Sequence, residues 1–303
     1  MRKSFGTAIM VLGAFAITSC GGQDASPEAD EMSDAPAADS NASDSGAFLD
    51  AAIAGDHRTE EDRARDVFRH PKETLEFFGI EPGMTVVEIW PGGGWYTKII
   101  APYLKAGGGK FYAAGFPRDG ANERLVAALD AFEAEFVSHP EIYGEIEMTA
   151  LAEGHEIAPA GSADAVLTFR NVHNWLPQGS AENNFAKFYL ALKPGGVLGV
   201  VDHRADGSDL PQNGSSGYVY TDDVIALAEG AGFEFEGGSE INANPKDTKD
   251  HPLGVWTLPP VRRSPQEPDP NFDRARYDAI GESDRLTLKF RKPLAEPEGA
   301  LLE

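Results

Sequence analysis

Val86-Val87-Glu88-Ile89-Trp90-Pro91-Gly92-Gly93-Gly94-Trp95-Tyr96-Thr97 is the stretch that decides how this chain folds. The apolar run Met84 to Ile89 predicts a buried strand. Three consecutive glycines follow, and a helical pattern then starts at Trp95 and carries Ile99, Ile100 and Leu104. Strand, glycine turn and helix together bring backbone N–H groups up to a small ligand, because no side chain in the turn holds it away. The new helix adds unpaired donors and the positive end of its dipole. Glu88, near the strand end, is placed to meet an amino or hydroxyl group.

The same alternation continues downstream. Gly109 to Phe116 predicts a second strand, and Leu125, Leu129, Phe132 and Phe136 mark one face of a helix. A third strand falls within Ile142 to Leu151, and a fourth spans Ala163 to Phe169. A helix from about Ala181 to Leu192 is followed by the turn Lys193-Pro194-Gly195-Gly196 and the apolar strand Val197 to Val201. Val224 to Ala231 predicts one more helix, and Phe233 to Ile241 and Arg285 to Phe290 the last two strands. Between those strands lies a Pro-rich insertion, residues 243–283, with Pro259-Pro260 and Arg262-Arg263. A loop of that length is unusual in a compact domain and reads as a substrate-side flap or an inert insertion. Upstream, residues 48–80 predict an N-terminal helical lid. Thr59 caps a helix whose first turn is Glu60-Glu61-Asp62, and Pro71 interrupts it. Its polar run Arg65 to His70 is either a solvated helix face or a lid placing His70 or Arg69 over a pocket mouth.

Glu88, Gly92, Gly94 and the Lys193–Gly196 turn resemble the class I S-adenosylmethionine-dependent methyltransferases, whose first motif is an acid followed by three glycines at alternate positions. The resemblance covers about His57 to Pro293. It implies an α/β fold with a single doubly wound, mostly parallel seven-stranded sheet and helices on both faces. The implied cofactor is S-adenosylmethionine, held by Glu88, Trp90, Pro91, Gly92, Gly93, Gly94, Trp95 and Tyr96. The implied reaction is methyl transfer to a small-molecule acceptor. Two positions depart from the pattern. Trp90 stands where the first glycine belongs, and the acid that holds the cofactor ribose is missing, with Gly115 and Phe116 in its place and Asp119 too late. A non-catalytic envelope protein that keeps the fold and binds a ligand is the alternative.

Ligands of an open parallel sheet sit at the carboxyl ends of the strands. Arg170, Asn171 and His173 follow the fourth strand, and Asp202 and His203 close the fifth. In the resembled strand order these strands neighbour the first, so Glu88, Arg170, His173 and Asp202 are expected to line one cavity, with Glu88 paired to Arg170 or to a backbone N–H. The catalytic candidates are His173, Arg170, Asp202, His203 and His70. His173 is the favoured general base, since imidazole titrates near neutrality; a structural histidine is the competing reading. His70, His173 and His203 with a carboxylate suit zinc chemically. No His-x-His or His-x-x-x-His pair supports that, so no metal is expected. No Gly-x-Ser-x-Gly elbow follows a strand either.

Residues 1–20 read as a signal peptide: Arg2 and Lys3 form a basic start, Ala8 to Ile17 an apolar stretch too short to span a membrane. Ile17-Thr18-Ser19-Cys20 resembles the end of a bacterial lipoprotein signal, with Cys20 as the lipidation site. Cys20 is the only cysteine of the 303 residues, so no disulfide forms within the chain. Residues 21–47 read as an acidic disordered tether, and 48–303 as the methyltransferase-like domain. The expected location is the bacterial cell envelope, facing the periplasm or exterior, with membrane contact only through the anchor. Net charge is −23, and loss of Arg2 and Lys3 takes it to −25. Such a field excludes nucleic acid as a partner.

Overall fold

The computed structural model describes residues 38–294 apart from Ser208. Cys20, the signal peptide and residues 21–37 of the expected tether lie outside the described residues. Helix α1, Ala38–Ala54, begins inside the stretch read as tether. Alanine carries helix without cost in side-chain entropy, and Leu49 and Ala52 give the helix a buried foot. Ser45 Oγ lies 2.7 Å from the Tyr103 hydroxyl. Among the described residues no helix is long and apolar enough to cross a membrane.

The stretch expected to form a helical lid is three short helices: α2 Glu60–Arg63, α3 Asp66–Arg69 and α4 Pro71–Phe78. Thr59 opens α2 with a capping box, its hydroxyl accepting from Asp62 N while the Asp62 carboxylate accepts from Thr59 N. His70, with φ 37°, turns the chain between α3 and α4. Thereafter come β1 Thr85–Ile89, α5 Thr97–Gly107, β2 Lys110–Gly115 and α6 Glu123–Phe132. A π-helical turn at Glu133–Val137 leads to α7 Pro140–Tyr143, β3 Ile146–Ala150, β4 Ala163–Phe169 and α8 Val172–Trp175. The chain continues through α9 Ala181–Ala191, β5 Leu192–Ala205, the short β6 Val219–Tyr220, α10 Thr221–Gly230 and β7 Glu234–Ser239. It closes with β8 Pro252–Val255, α11 Arg274–Ile280 and β9 Arg285–Arg291.

The sheet runs β3-β2-β1-β4-β5-β9-β7, with β6 paired to β5. Every pair from β3 to β5 is parallel, and only β9 runs against its neighbours. The doubly wound, mostly parallel seven-stranded sheet is thus present. Val87, Ile89, Val166, Leu198 and Val200 face α9 and α10, packing on Phe185, Phe188 and Val224. Val86, Ala165, Leu167 and Val201 face the other way, onto Leu75, Phe78, Ile99 and Phe136. Both faces are therefore dry, which explains strands that read as unbroken apolar runs. The expected Lys193–Gly196 turn is instead part of β5, where the register shifts opposite Ala163 and Ala165. Gly195, at φ 79°, absorbs the irregularity.

The 243–283 insertion is ordered by polar contacts. The buried Asp247 carboxylate accepts from the Tyr218 hydroxyl, Lys249 N and Asp284 N, and meets His251 Nε2 at 2.7 Å. Asp284 in turn takes both arms of Arg204 at 3.0 and 2.9 Å. The insertion delivers Glu282 and Ser283, both buried, to the carboxyl edge of the sheet.

Candidate cofactor and active site

Each glycine of the turn after β1 has its own task. Gly92 (φ 61°) and Gly94 (φ 73°) hold left-handed backbone. A Cβ on Gly94 would sit 2.1 Å from the Phe136 ring, so this glycine serves helix packing. At Gly92 and Gly93 a Cβ would meet nothing within 4 Å. Their backbone borders open space. Trp90, also left-handed at φ 46°, turns the chain sharply before Pro91.

Two cavities meet at this turn, both bordered by Trp90, Pro91, Gly92 and Asn171. The larger, about 560 Å³, is walled by Phe116, Leu125, Leu129, Phe132 and Met148. The indole of Trp90 stacks on Phe116 with centroids 4.2 Å apart and planes at 23°, and Trp175 meets its edge at 5.5 Å. The smaller cavity, about 270 Å³, is lined by Arg65, Arg69, Arg170, Glu88, Trp95 and Tyr96, among others. Asn171 is fixed at the junction by Nδ2 donating to Ile89 O at 2.8 Å and to Thr168 Oγ1 at 3.2 Å.

The smaller cavity is cationic. Glu282 bridges three guanidiniums: Arg65 Nε at 2.6 Å, Arg69 Nε at 3.0 Å, and Arg285 Nη2. Burial would raise the Glu282 carboxyl, but Arg285, Arg69 and Arg65 outweigh it and hold the group far below the usual range. Arg69 lies 4.6 Å from the Trp95 ring centroid, and Tyr96 stacks on Phe169 beside it. Arg170 stands at φ 61° just beyond β4. Burial first, then the nearby Arg285, lower its guanidinium to about 10. Arg65 Nη2, Arg69 Nη2 and Arg170 Nε are buried without a partner.

Glu88 is buried at the end of β1 and receives the Thr97 hydroxyl at 2.7 Å. The expected pairing with Arg170 is absent among the described contacts, and desolvation pushes the Glu88 carboxyl up to about 7.

The single shared cavity resolves into two neighbouring sites. Glu88, Leu167 and Gly199 are level across the sheet. Asp202, three residues beyond Gly199, therefore points to the opposite face from Glu88, whereas His203 points to the same face. Asp202 accepts from His173 N at 3.2 Å and from His203 N at 2.7 Å, and pairs with His173 Nδ1 at 2.9 Å. His203 meets Ser283 Oγ at 2.5 Å, and its ring centroid is 5.2 Å from that of His173. Ligand atoms of His173, Asp202 and His203 lie within 4.8 Å of one another. Burial and then His173, Arg285, Arg170 and Arg69 hold the His203 ring well below its ordinary range.

Of the sequence candidates, Glu88, Trp90, Pro91, Gly92, Gly93, Trp95, Tyr96 and Arg170 border the smaller cavity, and Gly94 packs behind it. His173, Asp202 and His203 form the adjacent buried group. His70 is elsewhere, in a separate hollow with Val67, Phe68, Asn242 and Asn244. Its left-handed turn swings it away from Arg65 and Arg69. Phe116, Arg65, Glu282 and Arg285 went unassigned to the site. The i, i+4 spacing of Arg65 and Arg69 was a usable signal; Glu282 carried none.

The strand order with one antiparallel strand is the Rossmann-like fold of the class I S-adenosylmethionine-dependent methyltransferases. No protein-family model and no curated protein matches the chain. Solved structures that align with it include a SAM-dependent methyltransferase from Aquifex aeolicus, 16% identical, covering 76% of this chain and 93% of that one, TM-score 0.48. The [4+2]-cyclase SpnF is 15% identical over 80% of this chain and 86% of its own, TM-score 0.48. A putative methyltransferase from Bacillus halodurans is 16% identical over 74% and 99%, TM-score 0.47. These are likenesses of fold. Function rests on the side chains of this site.

Proposed function

We propose that the chain binds S-adenosylmethionine across the two cavities and transfers its methyl group to a small-molecule acceptor. The observation that carries this reading is the meeting of an aromatic and a cationic cavity at Trp90, Pro91, Gly92 and Asn171. One end suits a flat base, the other a charged amino-acid group. The residues fit such a cofactor. Trp90 and Phe116 offer aromatic surface to an adenine. Gly92 and Gly93 leave room for close approach. Glu88, once ionised, attracts the ammonium of the cofactor's amino-acid end.

When bound, this cofactor supplies an electrophilic methyl group on a sulfonium. The protein's contribution is then alignment and exclusion of water. Asn171, held by Ile89 and Thr168, borders both cavities and orients what lies between them. His173, steadied by Asp202 but bordering neither cavity, serves as base only for an acceptor that reaches from the smaller cavity into the adjacent buried group. Calorimetry with S-adenosylmethionine and its demethylated product tests the reading: micromolar binding is expected, and silence at millimolar cofactor sinks it.

The lipoprotein anchor belongs to the same proposal, motivated by Ile17–Cys20. Cys20→Ala should abolish lipid labelling. A variant that still labels and fractionates with membranes ends the envelope assignment.

A further inference from the structure

The guanidiniums around the smaller cavity outnumber the carboxylates. Arg65, Arg69 and Arg285 already share one partner, Glu282. Arg170 makes no ion pair among the described residues, and its Nε is buried and unpartnered while the residue borders the cavity. Arg65 Nη2 and Arg69 Nη2 are likewise unpartnered, and Arg69 is only 2% exposed. The carboxylate of Asp202 is engaged by His173 and by the His203 N–H on the far face. A buried cation without a counter-charge is costly, so such an arrangement persists where a ligand supplies the charge.

The cofactor proposed above does not supply it. S-adenosylmethionine carries a carboxylate, an ammonium and a sulfonium, and so brings a net positive charge into a cavity that is already positive. Ionised Glu88 offsets only the ammonium. Negative charge must arrive with the other reactant.

We propose that the methyl acceptor is a small oxyanion, bearing a carboxylate or a phosphate group, and that Arg170, with Arg65 and Arg69, holds that group. This rests on the methyl-transfer reading for the word acceptor, but the oxyanion site itself does not. The planar guanidinium donates two parallel N–H groups to such an anion and sets its orientation. A left-handed residue at the end of β4 is a strained place for arginine, and strain of this kind clusters at ligand sites.

The test is calorimetry on the purified chain with inorganic phosphate and with malonate, each in the absence and presence of S-adenosylmethionine. The wild type is expected to bind at least one of the two, and the cofactor should leave that binding unchanged or strengthen it. Phosphate alone or malonate alone then names the source of the oxyanion. Arg170→Gln should weaken binding at least tenfold, and Arg170→Lys, which keeps charge but loses the fork, several-fold. If Arg170→Gln does not fold, the lysine variant decides. Binding of neither anion, or equal binding by the variants, overturns the site. Displacement of the anion by S-adenosylmethionine overturns the acceptor assignment, because the arginines then serve the cofactor. Anion binding without any cofactor binding leaves the oxyanion site standing and sinks the methyl-transfer reading.

Discussion

Trp90 lies flat on Phe116, their ring centroids 4.2 Å apart and their planes 23° from parallel. These are the two residues at which the chain departs from the motif it resembles, one in place of a glycine and one in place of the ribose acid. Their contact makes the departures one unit: an aromatic wall where the family has a gap and a carboxylate. In the proposed site, aromatic surface stands where the resembled motif places a hydrogen-bonding acid.

Trp90→Gly weighs two effects against each other. Glycine relieves a left-handed backbone, worth about 1–2 kcal/mol. It also gives up the half-buried indole, at most about 1.5–3 kcal/mol, and the stacked pair, about 0.5–1.5 kcal/mol. Packing wins, so the variant should be less stable by about 1–2 kcal/mol in urea titration and should bind S-adenosylmethionine more weakly. Tighter binding would show that Trp90 plugs the site, and would favour the non-catalytic alternative.

Glu88 makes stability depend on pH with a definite sign. Its folded pKa, about 7, lies above the ordinary 4.5. Below the lower value both states are protonated and burial costs nothing. Between the two the unfolded chain gives up its proton while the folded chain keeps it, so stability falls as pH rises and the full loss, on the order of 3 kcal/mol, is present above pH 7. Glu88→Gln should therefore be more stable than wild type at pH 8 and equal to it near pH 4, while binding the cofactor more weakly. Parallel stability curves for the two proteins would refute the assignment.

The glycines separate ligand approach from packing. Gly93→Ala enters open space at ordinary φ and should leave the melting temperature unchanged while reducing cofactor binding. Gly94→Ala drives a methyl group into Phe136 at φ 73°. It should cost about 2–4 kcal/mol, from overpacking and left-handed strain together. Equal stability of the two variants would contradict this division.

Asp202→Asn tests the second group. The carboxylate receives two backbone N–H groups and faces the His173 ring, and an amide turns one acceptor into a donor. A loss of about 2–3 kcal/mol is expected, with methyl transfer reduced and cofactor affinity retained. His173→Gln should keep both fold and cofactor affinity and lose transfer; unchanged turnover would make His173 structural.

The sheet was readable because β1, β4 and β5 are dry on both faces and spell themselves as apolar runs, and because glycines mark the turn after β1. Helix α1 was not, since a composition of Ala, Ser and Asp resembles a tether until Leu49 and Ala52 find a surface to bury against. Glu88 lies near the end of β1 as expected, but neither Arg170 nor a backbone N–H meets its carboxylate among the described contacts, and its protonation depends on neighbours that no local pattern encodes. The arginine cluster was least legible of all. Arg69 and Glu282 are 213 positions apart, and their meeting is a property of the folded sheet edge.

That separation has a consequence for the order in which the molecule assembles. Arg65, just before α3, and Arg69 within it are made early, and the carboxylate that permits their burial lies at the end of the insertion, just before the last strand. Until β9 inserts between β5 and β7, nothing neutralises Arg65 and Arg69, and seating them would leave charge stranded out of water. The N-terminal helices should consequently dock late, after the sheet has closed. A chain truncated before Glu282 is expected to expose α2 and α3 to protease, whereas the full chain, with Glu282 on Arg65 and Arg69, should protect them.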